Sequence, residues 1–251
     1  MGNYLLRDLS MAGVCWELSE NTTTSDVKKT PVQQTFETNR PQQDARPVIV
    51  PPSAPITLET VKSMVARPND IDSLVRMVGE FNHPLRGGAK NVVLPNIAKK
   101  PNGLVIITDL PGNDDDLSGK ILSGVAGEMV DKMLNAIDMS RDNVSIIPLL
   151  FWRTPGGRTP NREEIDLSMP FVDKMINMLN PKIIVTFGTL AATEIAKTNL
   201  KDMQSLPSEI KTENGCIIIP MYHPNYLVLK PSAKKDVWNA LQNVQKLLKN
   251  Q

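Results

Sequence analysis

Two side chains in this sequence stand where chemistry could be done. Asp109 closes the apolar run GLVIITD and is followed by a Leu110-Pro111-Gly112 turn and by Asp114, Asp115 and Asp116. His223 closes another apolar run, GCIIIPMYH, and is held by the rigid Pro224 after it. A carboxylate can orient water or stabilise a cation, and an imidazole can donate a hydrogen bond to an anion. Each also has an ordinary explanation. An acidic turn can cap a helix, with Asp114 to Asp116 facing solvent, and a lone histidine often simply occupies a turn.

A second group of residues suits phosphate. Arg153, Arg158 and Arg162 are interleaved with proline and glycine in FWRTPGGRTPNREEI. Guanidinium groups on a stiff loop match phosphate oxygens; ion pairs to Glu163 and Glu164 would account for the same residues equally well. Lys230, Lys234 and Lys235 fall where the last helix should begin, and backbone N–H groups there also favour an anion. A solvated charged face would read the same way.

Such residues need a scaffold that gathers distant loops. From residue 100 onward, apolar runs alternate with helical periodicity. GLVIITD, VSIIPLLF, KIIVTFG and GCIIIPMYH read as four buried strands. Between and after them, Val125, Met129, Met133, Leu134 and Ile137 recur at helical spacing, residues 161–179 form a helix, TLAATEIAKT opens another, and PSAKKDVWNALQNVQKLLKN is a terminal amphipathic helix. This alternation predicts a three-layer α/β/α fold around a central, mostly parallel four-stranded sheet. Ligands of such sheets bind beyond the carboxyl ends of the strands. Those ends carry Asp109, the loop after Phe151, Gly188 and His223.

Upstream, TLETVKSMVARPNDIDSLVRMVGEF reads as two short helices broken at Pro68, with Asp70 or Asp72 capping the second. Residues 1–18 read as a helical segment and residues 19–55, rich in Thr, Gln and Pro, as a disordered linker. The globular domain is expected over residues 56–251.

Composition narrows the classes. A net charge of +1 gives no strong global field, so a nucleic-acid site must be a local patch. Two cysteines, Cys15 and Cys216, are too few for a disulfide framework or a four-thiolate centre. No apolar run is long enough to span a bilayer, and no secretory leader is evident. A cytoplasmic monomer is the expectation.

Taken in order, LPGNDDD, SGVAGEMVDKMLNAI, FWRTPGGRTPNREEI, PFVDKMINMLNPKIIVTFGTLAA and YHPNYLVLKPSAKKDVW resemble the motifs of the bacterial family-4 uracil-DNA glycosylases, over roughly residues 80–249. The resemblance implies base excision repair: binding of single- or double-stranded DNA, extrusion of a base, and hydrolysis of its N-glycosidic bond. It implies catalytic roles for Asp109 and His223. It implies a base pocket of Leu110, Pro111, Gly112, Leu122 and Pro148. DNA contacts are implied at Arg153, Arg158, Gly188, Asn225, Tyr226, Leu227, Leu229 and Lys230, with Leu227 to Leu229 as the wedge at the flipped-out site.

Several positions depart from the family pattern. The family's glutamate falls on Asp109, one methylene shorter. Its stacking phenylalanine falls on Leu122, and its base-reading asparagine on Pro148. Base–aromatic stacking contributes about 1–3 kcal/mol per base, and proline has neither an amide side chain nor a backbone N–H. The iron–sulfur ligand positions fall on Trp152, on Ser168 and near His83 and Pro84, so no cofactor is expected. Three readings follow: an active glycosylase with weak or altered base preference, a degenerate relative that keeps DNA binding without efficient uracil excision, and a protein-interaction module.

Overall fold

The computed structural model describes residues 56–197 and 207–250; the segments expected at residues 1–18 and 19–55 lie outside them. The chain enters through α1 (Leu58–Val65) and α2 (Ile71–Glu80). Asp70, of the two candidate caps, is the one that caps α2, its carboxylate accepting the Ser73 N–H at 2.7 Å. Such a cap contributes about 1 kcal/mol. A 3-10 turn over Pro84–Gly87 follows.

The strands are β1 (Leu104–Thr108), β2 (Ser145–Pro148), β3 (Ile183–Phe187), β4 (Ile210–Lys211) and β5 (Ile217–Met221), in the order β2-β1-β3-β5-β4. All pairings are parallel except β4 with β5. The sheet therefore has five strands rather than the expected four. The extra one is a two-residue edge strand in a polar stretch, with no apolar run to announce it. At the opposite edge, Asn96 exchanges both backbone hydrogen bonds with Ile146, at 2.9 and 2.8 Å, and covers the outer side of β2.

Alternate residues of each strand feed two cores, because successive side chains point to opposite faces. On one face Val105, Ile107, Ile147, Ile184 and Ile218 pack against α1, α2 and α5 (Arg162–Leu179). On the other, Ile106, Ile146, Val185, Phe187 and Ile219 pack against α4 (Gly124–Asn135) and α8 (Lys234–Lys249). This is a three-layer α/β/α arrangement. Three shorter helices, α3 (Asn113–Ser118), α6 (Thr189–Ala196) and α7 (Pro224–Leu229), each begin just beyond the carboxyl end of a strand.

Candidate active site

The strand order reverses direction at β1, which has β2 on one side and β3 on the other. A crevice opens at such a switch point. Asp109 leaves β1 there, its backbone N–H bonded to the Phe187 carbonyl at 3.2 Å. Its carboxylate accepts the Ala191 N–H at 2.6 Å. The first turn of α6 carries unpaired N–H groups, and its N-cap, Gly188, has no side chain to satisfy them. Asp109 supplies that cap from the neighbouring strand. Gly188, at φ +100, makes this possible, since a Cβ there would collide with the Asp109 carboxyl group. Burial pushes the Asp109 carboxyl up to about 6, against the pull of the Ala191 and Leu190 amides.

His223 is the N-cap of α7 and is followed by Pro224 at its first position. Its Nδ1 accepts the Asn225 N–H at 3.2 Å. That bond assigns the ring proton of the neutral form to Nε2. Burial lowers the pKa to about 4, so the ring is neutral at pH 7. Asp109 and His223 line one cavity of about 400 Å³, together with Leu110, Thr189 and Leu190. Gly157, Thr159 and Pro160, from the loop between β2 and α5, form the rest of its wall.

The remaining expected residues scatter. Leu122 is 2% exposed within the α4/α8 core. It adopts φ +50, strained for a leucine, and the Arg141 guanidinium donates to its carbonyl at 2.7 Å. Pro148 is buried at the end of β2, in register with Thr108. Gly112 is the N-cap of α3, its N–H donating to Asp115 at 2.9 Å, and Pro111 is buried beside it. None of these four lines the cavity with Asp109 and His223. Nor does the acidic run face solvent throughout. Asp115 and Asp116 are 7% and 8% exposed. Asp115 accepts the Ser123 N–H at 2.6 Å, and Asp116 those of Lys90 and Asn91 at 2.8 and 3.1 Å. Only Asp114 is exposed.

Among the expected DNA contacts, Leu227 is 1% exposed and belongs to the core, whereas Leu229 is 84% exposed and Val228 45%. A wedge must be free to insert, so Leu229 fits that role and Leu227 does not. Gly188 is buried against Asp109. Tyr226 stacks on Tyr222 with ring centroids 5.0 Å apart, and the Lys230 ammonium lies 5.8 Å from the Tyr226 ring. Asn225 is exposed on the same short helix. Arg158 forms a two-pronged pair with Glu164, realising the ion-pair alternative. Arg162 pairs with Asp166 and Glu194 rather than with Glu163 or Glu164. Arg153 forms no ion pair among the described residues and is half-buried.

The positions that resemble iron–sulfur ligands do not fit that group. His83 is 1% exposed and both ring nitrogens are engaged: Nδ1 accepts the Leu85 N–H at 3.1 Å, and Nε2 donates to the Glu164 carbonyl at 3.0 Å. Trp152 stacks on His83 with centroids 4.6 Å apart and planes within 6°. Ser168 donates to the Leu149 carbonyl at 2.7 Å. None of the three is a thiolate, the ligand such clusters use. Among the described residues no cluster of three His, Cys, Asp or Glu side chains could hold a metal ion.

A doubly covered, mostly parallel sheet with an acid after its first strand and a His-Pro cap after its last marks a class. A family model for the uracil DNA glycosylase superfamily matches residues 95–243, and the chain belongs to that superfamily. Within it, the chain is similar to the Type-4 uracil-DNA glycosylase of Archaeoglobus fulgidus, with 23% identity over 184 residues, 70% of this chain and 92% of the relative. It is also similar to the Type-4 enzymes of Saccharolobus solfataricus (28% over 167 residues, 63% and 77% covered) and Thermotoga maritima (27% over 176 residues, 69% and 82% covered). No described helix is long and apolar enough to cross a membrane.

Proposed function

We propose that this protein binds DNA and hydrolyses the N-glycosidic bond of an extruded base, with weak or altered selectivity for uracil. The observation that carries the reading is the shared cavity of Asp109 and His223 at the switch point of the sheet. Cleavage of the bond builds positive charge on the sugar and negative charge on the departing base. Asp109, ionised above about pH 6, would orient the attacking water and offset the sugar's charge. His223, neutral with its proton on Nε2, would donate to the anionic base. Leu229 would occupy the space the base vacates, and Tyr226 and Lys230 would meet the strand beside it. Lack of thiolates at the family's cluster positions supports a glycosylase that works without the iron–sulfur centre.

We take weak uracil selectivity from Leu122 and Pro148, which stand at the family's stacking and base-reading positions yet offer neither a ring face nor an amide and do not line the cavity. The same observation favours the second reading, DNA binding without excision. A cleavage assay on single-stranded and duplex oligonucleotides containing uracil separates them, with Asp109→Ala and His223→Ala as controls. Excision abolished by Asp109→Ala supports hydrolysis. Salt-dependent binding without excision supports the second reading. Absence of both supports a protein-interaction module.

A further inference from the structure

We infer that Glu164 is a positioning residue that holds one wall of the Asp109–His223 cavity, acting through Arg158 and braced by the His83–Trp152 stack. This rests on the glycosylase reading for its catalytic consequence, but not for its structural one. Glu164 lies in the first turn of α5 and is 5% exposed. Its carboxylate accepts both prongs of Arg158, one at 2.9 Å, and the Asn161 N–H at 2.8 Å. Its carbonyl accepts the His83 ring N–H. Arg158 in turn donates to the Thr159 carbonyl at 3.0 Å, and the Arg158 carbonyl accepts the Thr154 hydroxyl at 2.6 Å. Thr159, with its neighbours Gly157 and Pro160, is cavity wall.

This loop needs such an anchor. Gly156 and Gly157 are both left-handed, at φ +64 and +72, and Pro155 to Thr159 are exposed. Glycines lose the most conformational freedom on ordering. Beneath the loop the support is rigid. Phe81 and Phe151 both pack against Trp152 and both meet Phe171, and His83 bridges from this aromatic cluster to Glu164. The cluster includes Trp152 and His83, two of the places where the family's iron–sulfur ligands fall. An aromatic and ionic brace therefore stands where the resemblance places the ligand positions of the family's iron–sulfur cluster. Arg158 holds the Glu164 carboxyl below the usual range, in keeping with a carboxylate kept ionised in place.

Backbone amide hydrogen exchange on the full-length protein tests this, with Glu164→Gln and Arg158→Gln compared with wild type after circular dichroism has verified folding. Exchange over residues 156–159 is expected to rise at least tenfold in both variants, with strands β1 and β3 unchanged, and the double variant is expected to add little. On a single-stranded uracil oligonucleotide, kcat/KM is expected to fall about tenfold, mainly through KM. Arg158 is exposed, so its variant remains informative if Glu164→Gln does not fold. Unchanged loop exchange in a folded variant overturns the inference. A wild-type protein that excises nothing overturns the glycosylase reading and leaves the exchange result standing.

Discussion

The Asp109 carboxylate caps α6 from outside that helix, 2.6 Å from the Ala191 N–H. A carboxyl group so placed is held by two opposing effects. Burial penalises its charge, while the helix amides welcome it. Burial wins, and the folded pKa lies near 6 against an ordinary 3.8. Between those values the folded state binds more protons than the unfolded one, so stability falls as pH rises through this window. Asp109→Asn, which keeps an acceptor oxygen without the charge, is expected to raise stability at pH 7.5 by about 1–2 kcal/mol. The gain should shrink towards pH 4, and base excision should be lost at every pH. Thermal melts across that range, paired with a cleavage assay, check both outcomes.

Catalytic pH dependence follows from the same two groups. Excision should rise with pH through about 6, as Asp109 ionises, and then level off. His223 should add no break near neutrality, because its pKa is about 4. A single-turnover pH profile with a limb near 6.5, removed by His223→Gln, would assign the ionisation to the imidazole instead.

Gly188→Ala tests how closely β3 must approach the acid. The added methyl would collide with the Asp109 carboxyl group and impose a side chain at φ +100. A loss of about 2–4 kcal/mol is expected from strain and a displaced cap. The rate should fall at least a hundredfold, as misplacement of about 1 Å can cause. Denaturant melts and single-turnover rates on the same preparation separate the two effects.

Leu227→Ala and Leu229→Ala should diverge. Leu227 is buried in the core, so its truncation should cost about 2–4 kcal/mol of stability. Leu229 is 84% exposed, so its loss should leave the melting temperature within about 1 °C. It should instead weaken excision from duplex more than from single-stranded DNA, where no partner strand must be invaded. Equal losses on both substrates would remove Leu229 from the wedge role.

That contrast also shows what the sequence could reveal. The apolar runs and the 3.6-residue spacing marked the four long strands and the major helices, because burial of one face imposes them. They could not tell Leu227 from Leu229, since α7 is a six-residue helix whose rotation is set by the His-Pro cap and the core behind it. Asp114 to Asp116 read as cap and solvent-facing residues; Asp115 does cap α3 through the Gly112 N–H, but Asp115 also reaches Ser123 and Asp116 is held by the segment around Lys90. Contacts such as those of Asp116, 25 and 26 residues apart in sequence, leave no local pattern. Arg158 and Glu164 were visible as a possible pair, but their place beneath the cavity wall was not. Gly157, Thr159, Pro160, Thr189 and Leu190 carry no chemical signature and were missed as site residues; their place in the segments that follow β2 and β3 was the available clue. β4 left no signal at all.

The sheet's two flanks have a consequence for assembly. One is stitched by Asn96 onto β2, and the other ends in a strand only two residues long, closing with the exposed Lys211. Among the described residues, what each flank leaves open is short: Asn96 pairs with β2 at Ile146, and β4 covers Ile217 and Ile218 of β5. Edges this short give a foreign strand little to extend, so ribbon-wise self-association through the described part of the sheet is disfavoured.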